Sequence, residues 1–468
     1  MPTKIKFGTS GWRAIIADEF TIANVRRALT GIARHVAEQK PAGSKVIVGR
    51  DPRYMGERFV EIASEILSAF GIQPLVIAEP APTPAIAYEV ARLRADGAIN
   101  FTASHNPPEY SGIKFSTPDG APALPEVTQS IEALVPENPD YPAPAATKKP
   151  SPQQIDPKPA YLARLKEIID LPLIKKSGLK IVYDPLWGAA RGYPDDLLRE
   201  AGIPVSAIHN TRDVLFGGHA PAPDGEVLND LRQEMKDTSS QIGIATDGDA
   251  DRFGIVDPDG TFIQPNYVIA LLFDYLVETR GWKNGVAKSV ATTNLINALA
   301  EHHRVQLYET PVGFKYLGEL IQQDKIAIGG EESAGLSIRH HVPEKDGVLA
   351  GLLCCEAVAR RNRPLMAQIH DLFGKVGSFY PQRDNFHLTP EVKAQFTKKL
   401  NSAPSDLGGR RVKDVVRIDG LKLVFDDGSW VCYRVSGTEP VVRIYTEARS
   451  EQDLSKLAEA AKQWVFKE

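Results

Sequence analysis

The chain of 468 residues is long enough for about three domains, with two to four open at roughly 150 residues each. Its 55 Lys and Arg against 59 Asp and Glu leave a net charge of −4, which argues against a nucleic-acid partner and the basic face that one needs. Apolar residues are 43% and charged residues 24%, an ordinary globular balance; no apolar run reaches membrane-spanning length and Met1 to Lys6 holds no signal-peptide core, so a cytoplasmic location without a membrane partner is expected.

In chain order, residues 45–49 (Lys-Val-Ile-Val-Gly) form a short apolar run of strand length. Phe59, Ile62, Ala63, Ile66, Leu67 and Phe70 follow at helical spacing, and Gly71 stops that helix. Residues 75–78 and 97–101 are the next strands. This alternation predicts parallel sheets with helices on their faces. Prolines at 136, 139, 142, 144, 150, 152, 157 and 159 exclude a helix or a sheet interior, so 136–159 reads as a surface connection between domains. The pattern restarts at 180–184 and 286–290. Near the end, strands at 415–418, 421–425, 430–435 and 441–445 precede an amphipathic helix over 453–466, the pattern of a small α+β domain. Cys354, Cys355 and Cys432 lack zinc or disulfide spacing and read as small buried side chains.

Three loops share one grammar, in which an apolar strand opens into a small polar loop. They are Thr102-Ala103-Ser104-His105-Asn106-Pro107, Asp247-Gly248-Asp249-Ala250-Asp251-Arg252 and Gly330-Glu331-Glu332-Ser333-Ala334-Gly335. Ligands in open α/β sheets sit at such strand ends. A fourth loop, Arg434-Val435-Ser436-Gly437-Thr438-Glu439-Pro440, lies in the terminal segment. One loop per domain-sized block suggests a single cleft built from four domains.

Asp247, Asp249 and Asp251 carry the most specific chemistry. Carboxylates at every second position repel unless a hard cation joins them, and Mg²⁺ usually adds a phosphate oxygen to such a set. An EF-hand is excluded, because its sixth and twelfth positions would be Arg252 and Pro258. Ser104 alone reads as a turn residue. On an extended backbone His105 would point away from it, which disfavours a hydrolase-type pair. Beside an aspartate cluster, Ser104 reads better as a phosphoryl carrier. Arg434, Ser436, Gly437 and Thr438 offer a guanidinium, hydroxyls and free N–H groups to a phosphate, with Arg443 as a second charge. Glu331 and Ser333 could meet a polyol, or cap a helix. There is no P-loop and no dinucleotide fingerprint.

These motifs occur in the order that marks the α-D-phosphohexomutase family, which the chain closely resembles. Phe7-Gly8-Thr9-Ser10-Gly11-Trp12-Arg13 and Gly49-Arg50-Asp51-Pro52-Arg53 extend the likeness over nearly the whole chain. The resemblance implies a four-domain, heart-shaped enzyme with three related α/β domains and a C-terminal α+β domain. The expected blocks are 1–150, 151–259, 260–370 and 371–468, each with one site loop. It implies a phosphoserine at Ser104, and Mg²⁺ held by Asp247, Asp249, Asp251 and Ser104. Arg13 and Arg252 would lie near the transferring phosphoryl group. His105 and Lys114 would take part in proton transfer at the sugar hydroxyl; a lysine that serves as a base needs a lowered pKa, and a lysine that only pairs with phosphate is the alternative. Lys315, Glu331 and Ser333 would meet the sugar, while Arg434, Ser436, Gly437, Thr438 and Arg443 grip the phosphate that does not react. The implied reaction interconverts hexose 1- and 6-phosphates through a 1,6-bisphosphate, with glucose 1,6-bisphosphate as activator. Gly-Glu-Glu-Ser-Ala-Gly resembles the phosphoglucomutase form of the sugar loop, against Gly-Glu-x-Ser-Gly-His in phosphoglucosamine mutases and dual phosphomannomutases. A dual phosphoglucomutase/phosphomannomutase, a glucose-1,6-bisphosphate synthase and a non-catalytic sugar-phosphate binder are the competing readings.

Overall fold

A computed structural model describes residues 3–8, 11–141, 149–435 and 441–466. Each strand run expected in the first three quarters lies in a buried strand. Lys45–Arg50 keeps Val46, Ile47 and Val48 out of solvent, and the helix Gly56–Ala69 covers it with Phe59, Ile62, Ala63 and Leu67. Gly71 turns the chain at φ +76°, a conformation that a side chain would strain.

Among the described residues the strands form four sheets. In the first, Tyr110–Ser116 lies antiparallel to Ala98–Phe101, which runs parallel to Lys45–Arg50 and that in turn to Gln73–Ile77. The second repeats this order with Phe253–Val256, Ile242–Thr246, Ile181–Asp184 and Val205–Ala207. The third repeats it with Gly335–Ile338, Ile326–Glu331, Gly285–Ser289 and Leu307–Thr310. The sheets are therefore mixed rather than parallel. In each, the site loop is the connection that reverses the chain into the antiparallel strand.

The proline-rich stretch does more than connect. Proline-free Gln153–Ile155 adds a parallel edge strand to Gln73–Ile77, where one side needs no partner, so the first sheet extends past residue 150. Pro159 then falls in the first turn of helix Lys158–Ile168, where a missing N–H costs nothing. The helix Leu365–Val376 runs across residue 370.

Helix Gly347–Arg361 is buried from Gly347 to Ala359 because it packs against both the second and third sheets, in one continuous core. Cys354 and Cys355 sit inside it, and Cys432 is also buried and unpaired. The fourth sheet contains the strands expected at 421–425, 430–435 and 441–445, places the one expected at 415–418 earlier, at Arg410–Val416, and adds Tyr380–His387, which pairs antiparallel with Val441–Ala448; helix Glu451–Phe466 covers it. Trp430, Cys432 and Tyr445 of this sheet pack on Val290 and Ala291 of the third. No helix among the described residues is long and apolar enough to cross a membrane.

Candidate active site

Ser104 lies in the loop after strand Ala98–Phe101 and is 1% exposed. Arg53 builds that loop. Its Nη2 donates to the carbonyls of Ser104 (2.8 Å) and Asn106 (2.7 Å), its Nη1 to those of Pro107 (2.7 Å) and Tyr110 (2.9 Å), and its Nε to Asp51 (3.0 Å). Thr102 links the same carboxylate to Ser104: its hydroxyl donates to Asp51 at 2.7 Å and accepts from Ser104 N at 2.9 Å. Ser104 itself is left-handed at φ +53°. This overturns the expectation that His105 points away, since on this backbone Ser104 Oγ lies 3.3 Å from His105 Nδ1. The charge of Arg252, burial and the charge of Arg13 push the His105 pKa well below its ordinary value.

The aspartate loop meets Ser104 from the second sheet. Ser104 Oγ donates to Asp247 Oδ2 at 2.6 Å. Gly248 permits the approach, because a Cβ there would stand 2.5 Å from the Ser104 carbonyl oxygen. Asp247, Asp249 and Asp251 are at most 1% exposed, so this is no solvated turn. One carboxylate oxygen from each lies within 4.8 Å of the others. Asp249 Oδ1 and Asp251 Oδ1 are buried without a hydrogen-bond partner. Orphaned anionic oxygens converging on one point fit a divalent cation. Burial, then repulsion from Asp251 and Asp249, pushes the Asp247 carboxyl up to about 8. Burial works the same way on Asp251, but Lys114, Lys345 and Arg252 outweigh it and hold its carboxyl well below the ordinary range.

Lys114, on strand Tyr110–Ser116, places Nζ 2.5 Å from Asp249 Oδ2 and 2.6 Å from Asp251 Oδ2. The lowered pKa that a base role would need is not found here. Burial lowers it, yet the two aspartates prevail and the net shift is upward. Thr83 donates to Asp249 Oδ2 as well, and is held in turn by Asn100 Nδ2 at 2.9 Å. Arg13 reaches Asn106 Oδ1 at 2.8 Å. Arg252 donates its backbone N–H to Asp247 Oδ1 at 3.0 Å, and its Nε, buried without a hydrogen bond, lies 3.8 Å from Asp251 Oδ1.

The sugar loop abuts the aspartate loop, for Phe253 N donates to the Ala334 carbonyl at 3.2 Å. Glu331 is 4% exposed and accepts from Gly313 N at 2.7 Å. Burial, then repulsion from Glu332, raises its carboxyl to about 7. Ser333 and Lys315 are half-buried, and burial lowers the Lys315 ammonium. Lys345 is a site residue that sequence reasoning missed. Its Nζ lies 3.1 Å from Asp251 and 3.0 Å from Glu344, and it feels the charge of Glu331. The sequence signal is the charged run Glu344-Lys345-Asp346 ahead of the apolar helix Gly347–Arg361.

In the fourth sheet Arg434 and Arg443 face each other in register across neighbouring strands. Two like charges so placed are unfavourable until an anion joins them. Arg434 Nη2 pairs with Asp419 Oδ2 at 2.8 Å, and its Nε is buried without a partner. Ser436, Gly437 and Thr438 lie outside the described residues.

Four phosphoglucomutase/phosphomannomutase family models match in order: alpha/beta/alpha domain I over residues 4–141, domain II over 159–260, domain III over 264–376 and the C-terminal domain over 391–463. The chain belongs to the phosphoglucomutase/phosphomannomutase family. It is 30% identical over 449 residues to the phosphoglucomutase/phosphomannomutase of Thermococcus kodakarensis, covering 95% of each chain. It is also 30% identical over 495 residues to the phosphoglucomutase of Komagataeibacter xylinus, covering 95% of this chain and 87% of that one. Other relatives of similar identity are named phosphoglucosamine mutases. A structure solved for a candidate phosphomannomutase of Thermus thermophilus superposes with a TM-score of 0.86 at 33% identity, over the whole of both chains. Members of this family are phosphotransferase isomerases acting on hexose phosphates, and this chain is an enzyme of that class.

Proposed function

We propose that the enzyme is a phosphoglucomutase, interconverting glucose 1-phosphate and glucose 6-phosphate through a phosphoserine at Ser104 and a bound glucose 1,6-bisphosphate. The observation that carries this reading is the contact of Ser104 with Asp247, at the mouth of a buried three-carboxylate cluster with two orphaned oxygens. In the first half-reaction the free sugar hydroxyl loses its proton and forms a bond to phosphorus as the bond to Ser104 Oγ breaks and that oxygen regains a proton. After the bisphosphate turns in the site, Ser104 Oγ takes the other phosphoryl group back and frees the product. His105 Nδ1, 3.3 Å from Ser104 Oγ, supports a proton-transfer role there. Arg13 and Arg252 balance charge on the phosphoryl oxygens. Asp247, Asp249, Asp251 and Ser104 would hold Mg²⁺, which when bound supplies further charge neutralisation. Lys315, Glu331 and Ser333 contact the sugar. Arg434 and Arg443, with Ser436, Gly437 and Thr438, grip the second phosphate, and glucose 1,6-bisphosphate primes Ser104.

The preference for glucose rests on the sugar loop. Ala334 turns at φ +70°, and a Cβ on Gly335 would clash with Lys345 Cδ. A histidine at 335, as in the Gly-Glu-x-Ser-Gly-His form, would therefore displace Lys345. The test is a comparison of rates with glucose, mannose and glucosamine 1-phosphates, each with and without glucose 1,6-bisphosphate. Glucose 1-phosphate is expected to turn over fastest and to need the bisphosphate. Faster turnover of glucosamine 1-phosphate would overturn the sugar assignment. Net bisphosphate formation from 1,3-bisphosphoglycerate would make the enzyme a synthase.

A further inference from the structure

Among the described residues, Lys422, Glu447 and Asp419 each fasten the fourth sheet to the third unit through polar contacts. Lys422 Nζ donates to the Val290 carbonyl at 2.9 Å, and Glu447 accepts from Asn294 N at 2.9 Å and from Trp430 Nε1 at 2.7 Å. The third fastener differs in what else it touches. Asp419, in the turn between strands Arg410–Val416 and Leu421–Phe425, accepts from Val312 N at 3.0 Å through Oδ2. The same oxygen pairs with Arg434 Nη2 at 2.8 Å. The next amide along, Gly313 N, donates to Glu331 Oε1 at 2.7 Å.

Two consecutive backbone N–H groups are thus divided between two subsites. One is held by the carboxylate that orients the phosphate arginine, the other by the carboxylate assigned to the sugar. Gly313, at φ +137°, is a position that only glycine adopts without strain, so the local backbone is committed to this division. Arg434 needs such a holder. It faces Arg443 across the strands, and its Nε has no partner of its own. The two amides are adjacent on one backbone, so a carboxylate that fixes Val312 N also fixes where Gly313 N meets Glu331, and that links the two ends of a bound molecule.

We propose that Asp419 is a positioning residue that ties the phosphate grip of Arg434 to the sugar contact of Glu331, so that the two ends of a hexose phosphate bind cooperatively. The proposal rests on the reading of Glu331 and Arg434 as substrate contacts. A ligand that fills only one end gains nothing from this link, whereas a hexose phosphate gains from both contacts at once.

The test is a double-mutant cycle on binding, with the full-length protein in chelator so that no turnover occurs. Glucose 1-phosphate is titrated calorimetrically into the native protein, Asp419→Ala, Glu331→Ala and the double variant. Inorganic phosphate, which carries no sugar to meet Glu331, is the control ligand. Glu331→Ala is expected to weaken glucose 1-phosphate binding about tenfold in the native background and threefold or less in the Asp419→Ala background. Phosphate binding should weaken in Asp419→Ala and be indifferent to Glu331→Ala. If Asp419→Ala fails to fold, Asp419→Asn, which keeps an acceptor for Val312 N but loses the charge on Arg434, enters the same cycle. Equal losses in both backgrounds would overturn the coupling while leaving the functional reading intact. A native protein that binds no glucose 1-phosphate would overturn both.

Discussion

Ser104 Oγ donates a 2.6 Å hydrogen bond to Asp247 Oδ2, joining side chains 143 positions apart. That bond crosses from the first sheet to the second and closes the site around a serine that is only 1% exposed. The serine loop and the aspartate loop therefore act as one unit, and a change in either is felt by the other.

Lys114 stands where it neutralises Asp249 and Asp251, the same carboxylates that would meet a divalent cation. Removing one partner of a buried ion pair costs about 3–5 kcal/mol. Lys114→Met is expected to lose stability on that scale in chelator and to regain more from Mg²⁺ than the native protein does, because the ion then replaces the charge that Lys114 supplied. Chemical denaturation with and without Mg²⁺ checks this. An equal Mg²⁺ response in both proteins would count against a metal at the aspartates.

Glu331 is raised from its ordinary 4.5 to about 7 by burial and by Glu332. Between those values the folded protein keeps a proton that the unfolded chain has released. The contribution of this group to stability therefore falls as pH rises through the window, and stays lost above it. Gln cannot ionise and still offers an oxygen to Gly313 N. Glu331→Gln should be more stable than the native protein at pH 8, by about 3 kcal/mol at 1.36 kcal/mol per unit. The two should converge near pH 4, while the variant loses activity. Parallel stability curves from pH 4 to 8 would contradict the burial of an ionising Glu331.

Gly248 lets the aspartate loop lie against the Ser104 carbonyl, and a Cβ would sit 2.5 Å from that oxygen. Gly248→Ala must part the two loops by several tenths of an ångström or more. A misplacement approaching 1 Å costs about a hundredfold in rate. The expected outcome is a loss of that order in kcat, with weakened Mg²⁺ binding. Steady-state kinetics across a Mg²⁺ titration measures both, and unchanged kinetics would show that the loops need not touch.

Much of the fold and site is legible in the chain because its signals are short and local. Asp247, Asp249 and Asp251 stand out because a carboxylate at every second position has few uses without a cation. The strands at 45–49 and 97–101 stand out because a strand buried on both faces is continuously apolar. Strand Tyr380–His387 does not, since only Pro381 is buried and polar residues fill most positions on both of its faces. Lys345 is hidden for a different reason. It reaches Asp251 only because the helix behind it packs across two sheets, a relation that no local pattern carries. The Ser104–His105 approach depends on one left-handed residue, and a serine seldom signals that conformation in advance.

The central claim is that Ser104 carries the phosphoryl group. The direct measurement is mass spectrometry of the protein after exposure to glucose 1,6-bisphosphate and Mg²⁺, and again after excess glucose 1-phosphate. One phosphoryl group is predicted on the peptide containing Ser104 and is predicted to leave in the second step. Ser104→Ala should accept none and should lose mutase activity by about a thousandfold or more. A Ser104→Ala protein with native activity, or a native protein phosphorylated at another residue alone, would contradict the account.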